Sequence, residues 1–103
     1  MKEKALPLHW STRALERVSE IIDYLSLHDA EAAEHWVEGL FLKTERLALL
    51  PRMGRMVPEV RRDEIREIFY EKYRVIYKIK AERVEILTVR HMRQQFDEGA
   101  LGE

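Results

Sequence analysis

The stretch 50–77, LPRMGRMVPEVRRDEIREIFYEKYRVIY, carries six arginines: Arg52, Arg55, Arg61, Arg62, Arg66 and Arg74. A guanidinium is a permanently charged planar fork of donors that matches carboxylates and phosphates. Such a density of forks suits binding to an acidic surface, either protein or nucleic acid. The same charges would also serve simply to solvate one face of a sheet. Tyr70, Tyr73 and Tyr77, interleaved with Lys and Arg, could stack bases, and they fit a core and its rim equally well. Other chemistries lack their residues. There are no cysteines, and the four histidines, His9, His28, His35 and His91, are scattered without zinc spacing. No phosphate-binding glycine loop and no Ser/His/Asp set is present. Neither a metal nor a cofactor is expected.

Composition bounds the rest. At 103 residues the chain is of single-domain length, with 46% hydrophobic and 36% charged residues. No apolar run approaches the roughly 18 residues of a membrane helix. The start, MKEKALPLHW, has no long apolar region of the secretory kind. With no cysteines as well, a cytoplasmic address is the expectation, without membrane contact. The net charge of −1 hides a polarity. Residues 1–50 hold six Lys/Arg against nine Asp/Glu, and residues 51–96 hold twelve against seven.

The elements that must position these residues change period midway. LPLHWS (6–11) reads as extended, and Pro7, lacking an N–H, places it at a sheet edge. Ser11 or Thr12 can cap a helix reaching about His28, with an apolar stripe at Leu15, Val18, Ile21, Ile22 and Leu25. Asp29 can cap a second helix, about Ala30 to Leu49, with Ala33, Trp36, Val37, Leu40, Phe41, Thr44, Leu47 and Ala48 as its stripe. The short connection makes the helices antiparallel neighbours. Gly39 inside the second helix suggests a close helix–helix crossing or a tolerated defect. The residue before Pro51 is pushed out of the α region, which ends the helix.

Residues 51–58, PRMGRMVP, read as an irregular connector. Gly54 is expected to permit a tight turn through positive φ, and Met53, Met56 and Val57 to fold over the helices. IREIFY, YRVIYKIK and VEILTVRH then alternate as strands with short turns at Glu71-Lys72 and 81–83, hence an antiparallel meander. Strict alternation would place Val84, Ile86, Thr88 and Arg90 on one face of the last strand. It does not divide the apolar residues cleanly. Arg74 is expected within reach of the last strand's end. The tail after Phe96, with Gly99 and Gly102, is expected to fray.

The ordered set LPRMGRMVPE (50–59), IRE (65–67), YRVIY (73–77) and ILTVRHMR (86–93) resembles the RelE/ParE superfamily of bacterial toxins. The proline–glycine–arginine connector resembles the ParE branch. The resemblance spans about residues 6–96. It implies an α+β fold in the order β-α-α-β-β-β, with a helical hairpin on an antiparallel sheet. One toxin domain would occupy 1–96, followed by a short tail, 97–103. It also implies a toxin of a type II toxin–antitoxin pair with a cognate, ParD-like antitoxin as partner. DNA would be contacted only through that antitoxin.

The superfamily divides into gyrase inhibitors, the ParE type, and ribosome-dependent mRNA endoribonucleases, the RelE type. Metal-free RNA cleavage needs a group to activate the 2′-oxygen, cations for the phosphate and an acid for the leaving oxygen. Arg74 matches the arginine of the RelE-type motif. His91 could be the acid, with Arg93 beside it. Ile65 and Glu67 stand where RelE-type toxins have lysines, and Glu67 would repel phosphate unless it acted as a base. Arg74 could also pair with Glu67 or the tail, and His91 could be a structural histidine. A pI of about 6.4 is low for a protein seated among rRNA phosphates. The expected reading is therefore a gyrase inhibitor with no favoured catalytic residue and DNA gyrase as target. Its partner-binding candidates are Arg55, Arg66, Arg74, Arg90 and Arg93. The alternatives are the mRNA endoribonuclease, using Arg74, His91, Arg93 and Glu67 on the ribosome, and a non-toxic relic that acts only as an antitoxin-binding co-repressor.

Overall fold

Two short polar caps set the first half. In the computed structural model, which describes residues 5–96 and 98–101, strand β1 (Leu8–Trp10) leads into helix α1 (Thr12–Ser26). Ser11 Oγ accepts the Ala14 N–H at 3.0 Å and donates to the Leu87 carbonyl at 3.0 Å. The cap thus also ties the helix to a strand 76 residues away. Helix α2 (Ala30–Glu45) starts at Asp29, whose side chain accepts from the N–H groups of Glu31 and Ala32 at 3.0 and 3.2 Å. Each cap satisfies donors that the first helical turn leaves without partners. The α1 stripe is Ala14, Val18, Ile21, Ile22 and Leu25, while Leu15 is exposed. Residues 46–48 add one tight 3₁₀ turn to α2.

The sheet has five strands: β1, β2 (Arg55–Met56), β3 (Ile65–Tyr70), β4 (Tyr73–Ile79) and β5 (Val84–His91), in spatial order β1-β5-β4-β3-β2. The expected meander β3-β4-β5 is antiparallel, but β1 joins β5 in parallel, pairing Leu8 with Val84 and Trp10 with Ile86. The sheet is therefore mixed. Pro7 sits at its edge, where only the carbonyl is needed, and it accepts the Val84 N–H at 2.9 Å. The connector contributes the opposite edge strand, β2, with Arg55 opposite Glu67.

Each face of the sheet is buried. The helices cover one face through Ala14, Val18, Trp36, Leu40 and Leu47 against Ile68, Val75, Tyr77, Val84, Ile86 and Val89. On the other face Val57, Ile65, Ile76, Leu87 and Leu101 form a second cluster, flanked by Val60 and Phe96. Val57 therefore packs on the side away from the helices, and Met53 and Met56 are exposed rather than folded over them. The tail does not fray over its described part. Residues 98–101 make a 3₁₀ turn that buries Leu101, because the far face would otherwise leave Ile76 and Leu87 to water.

A register shift explains why β5 does not alternate. Ile76 pairs with Thr88 but Tyr77 pairs with Ile86, so Leu87 is an extra residue. Such a bulge reverses the alternation beyond it. Val84, Ile86 and Val89 consequently share the helix side.

The two interior glycines mark close approaches, and neither supplies an unusual φ. A Cβ at Gly39 would strike the Tyr70 hydroxyl, which donates to the Trp36 carbonyl at 2.8 Å. The approach is helix to sheet, not helix to helix. Gly54 has φ −79°. A Cβ there would lie 2.5 Å from both the Glu67 carbonyl and the Tyr77 hydroxyl.

Candidate functional site

Arg74 sits in the middle of the far face. On β4 it lies opposite Phe69 of β3 and Arg90 of β5. Its Nε donates to Glu67 Oε1 at 2.6 Å, and Nη1 and Nη2 donate to the two Glu59 oxygens at 2.8 and 2.7 Å. The second Glu67 oxygen accepts from Arg55 Nε at 2.7 Å. The Glu67 side chain is 0% exposed and that of Arg74 only 9%. Phe96 covers the group, its ring centroid 5.2 Å from the Arg74 guanidinium and 5.7 Å from that of Arg90. Arg90 also donates to the Gln95 carbonyl at 2.6 Å.

The electrostatics follow from this geometry. The hydrogen bond from Arg74 is the main reason that the Glu59 carboxyl is held below the usual carboxylate range. The bonds to Glu59 and then Glu67 raise Arg74 above its ordinary value. A carboxylate–arginine fork of this kind is strong and geometrically defined. Arg74 is thus charged, neutralised in place, and engaged through all three nitrogens.

The remaining arginines of the stretch are largely self-paired as well. Asp63 bridges Arg52 at 2.6 Å and Arg66 at 2.7 Å, and these two bonds hold its carboxyl low. Arg66 Nη1 also donates to the Gly54 carbonyl at 2.9 Å. Arg62 pairs with Glu64 at 2.9 Å. Of the five partner-binding candidates, Arg74 and Arg90 are buried and Arg66 is half-buried. Arg55 and Arg93 are exposed.

Among the four residues of a ribonuclease-type set, the structure joins Arg74 to Glu67 and places His91 apart from them. In register, Tyr73 faces His91 and Arg74 faces Arg90. Neighbours along a strand point to opposite faces, so His91 lies on the helix side of the sheet and Arg74 on the far side. The His91 ring packs edge-on against Tyr73 at 5.5 Å, and its Nδ1 accepts the Arg93 N–H at 3.1 Å. Arg93 lies in the turn beyond β5 with its side chain in solvent.

Two contributors were not singled out from sequence: Glu59, which fills the Arg74 fork, and Phe96, which covers it. The acids interspersed through PEVRRDE were the available signal for self-pairing. Nothing local marks Phe96. Among the described residues no group of three or more His, Cys, Asp or Glu is placed to hold a metal ion. Among the described residues no helix is long and apolar enough to cross a membrane.

Comparison with known proteins agrees with this architecture. A protein of Sinorhizobium fredii named "Putative toxin Y4kP" is 34% identical over 91 residues, covering 86% of this chain and 91% of its own. Among solved structures, the chromosomal ParDE toxin–antitoxin system of P. aeruginosa superposes with a TM-score of 0.72 at 20% identity, over 86% of this chain and 98% of that one. The RelBE2 toxin–antitoxin complex of Mycobacterium tuberculosis superposes at 0.56 and 21%, over 87% and 94%. These two likenesses show the fold. Residues 8–96 match the family described as the ParE toxin of the type II toxin–antitoxin system parDE. With that match over most of its length, the chain belongs to the ParE toxin family of type II toxin–antitoxin systems.

Proposed function

We propose that this protein is the toxin of such a pair, that it acts in the cytoplasm by inhibiting DNA gyrase, and that a cognate antitoxin neutralises it. The antitoxin partner is supported by the family and by the two structural neighbours, which come from toxin–antitoxin systems. The choice of gyrase over mRNA rests on one observation. The Arg74 fork is filled by Glu59 and Glu67, and the sheet separates it from His91. A phosphoryl-transfer site needs cations free to meet developing negative charge, with an acid on the same side. Here the buried Glu67 carboxylate stands beside the arginine instead.

The purified protein is expected to block gyrase-catalysed supercoiling of relaxed plasmid, and added antitoxin to restore it. Absence of any block at large molar excess would overturn the gyrase reading. Reproducible cuts in translated messages, mapped by primer extension, would establish the ribonuclease in its place. Induction without growth arrest, with intact antitoxin binding, would leave the co-repressor role alone.

A further inference from the structure

The arginine-rich stretch is largely neutralised by its own acids, whereas Lys72 and Arg93 have no carboxylate partner among the described residues. Lys72, in the β3–β4 turn, and His91 and Arg93, at the end of β5, line one surface hollow together with Met92. Two backbone features build it. The Met92 N–H donates to the Lys72 carbonyl at 2.8 Å, clasping the turn to the end of β5. The Arg93 N–H donates to His91 Nδ1 and orients the ring. Lys72 and Arg93 are exposed, and Met92 is 51% exposed. Among the described residues no carboxylate pairs with Lys72, His91 or Arg93. Contrast the hollow near the start of α1, where Glu85 already holds Lys80 at 2.5 Å.

We propose that the hollow formed by Lys72, His91, Met92 and Arg93 is the surface through which this toxin grips its target, and that it takes an acidic segment of a protein with an adjoining apolar side chain. Lys72 and Arg93 supply the charge for one or two carboxylates. Met92, flexible and polarizable, supplies an adaptable apolar contact between them. A nucleic-acid backbone fits less well. Its capture depends on many phosphate contacts and a favourable overall field, whereas this chain carries a net charge of −1 and self-pairs most of its arginine stretch.

The proposal rests on the gyrase reading for the identity of the target, so its test carries one readout that does not. The full-length double variant Lys72→Glu/Arg93→Glu changes only exposed side chains and should keep the thermal midpoint of the parent. It should bind an acidic, glutamate- and leucine-rich synthetic peptide about tenfold or more weakly than the parent, consistent with loss of two complementary charges. Its half-inhibitory concentration in the supercoiling assay should rise by a similar factor. If the parent does not inhibit gyrase, the target assignment fails and peptide binding alone judges the surface. Equal peptide affinity in parent and variant overturns the proposal, as does tighter parent binding to a single-stranded DNA or RNA oligomer that the variant loses.

Discussion

Arg74 Nε and Glu67 Oε1 meet at 2.6 Å between neighbouring strands, and the Glu67 side chain is wholly shielded from water. Removing one member of such a pair strands the other's charge, whereas replacing both by apolar groups removes the desolvation cost as well. Arg74→Met, which takes the Nε donor from the shielded Glu67 carboxylate, is therefore expected to destabilise the protein by about 3 kcal/mol. The double change Glu67→Leu/Arg74→Met should recover part of that loss, since the Glu59 fork is absent from both variants. Urea denaturation of the two variants and the parent checks both. If the double variant is as unstable as the single one, the pair contributes in some way beyond mutual neutralisation.

The pH dependence follows from Glu59. Its folded-state pKa is depressed below the ordinary glutamate value of 4.5, chiefly by the Arg74 hydrogen bond. A depressed carboxylate contributes stability that is present above the unfolded value and is lost as pH falls through the folded one. Glu85, held down first by Lys80, acts in the same direction. Stability should be flat from neutral pH to about 5 and should decline below the ordinary glutamate value. Glu59→Gln should lower stability at pH 7 and make the acid limb shallower. Thermal midpoints measured from pH 3 to 7 test this, and an unchanged acid limb in Glu59→Gln would count against it.

Gly39 faces the Tyr70 hydroxyl across the helix–sheet interface. Alanine is the better helix former, by about 1 kcal/mol, yet Gly39→Ala is expected to destabilise, because overpacking a filled site costs roughly 1–3 kcal/mol. Tyr70→Phe removes the obstructing oxygen, so Gly39→Ala should cost less in that background. A double-mutant cycle by chemical denaturation gives the coupling, and independent additive effects would contradict the contact.

Leu101 covers the far face of the sheet with Val57, Ile65, Ile76 and Leu87. Leu101→Ala is expected to cost about 2 kcal/mol, the low end for buried leucine truncations. Hydrogen exchange at Ile76 and Leu87 should accelerate in the same variant. A change below about 0.5 kcal/mol, the range of ordinary surface substitutions, would mean the tail adds nothing to that face.

The helical hairpin was legible because its signals are local. Ser11 and Asp29 are caps recognisable within three residues, and steps of three and four mark the buried stripes. The three long strands and their turns were legible through β-branched and aromatic alternation. Around the candidate site, legibility fell. Arg74 and Glu67 stood out by type, and their pairing was an open alternative. Glu59 as the residue that fills the fork, and Phe96 as its cover, depend on a loop and a tail returning to the sheet, which no periodicity records.

The sequence by itself determined the order of the helical hairpin and the three long strands, the Asp29 cap and the edge position of Pro7. These depend on side-chain type and on spacing within a turn or a strand. Tertiary structure alone decided the parallel pairing of β1 with β5, the extra residue at Leu87, and the crowding that requires glycine at positions 39 and 54. It also decided that Arg74 and His91 point to opposite faces, and that most of the arginine stretch neutralises itself while Lys72 and Arg93 beside Met92 have no carboxylate partner among the described residues. The physical reason is common to all of these. Each depends on contacts between segments far apart in the chain, and only burial of both sheet faces brings those segments together.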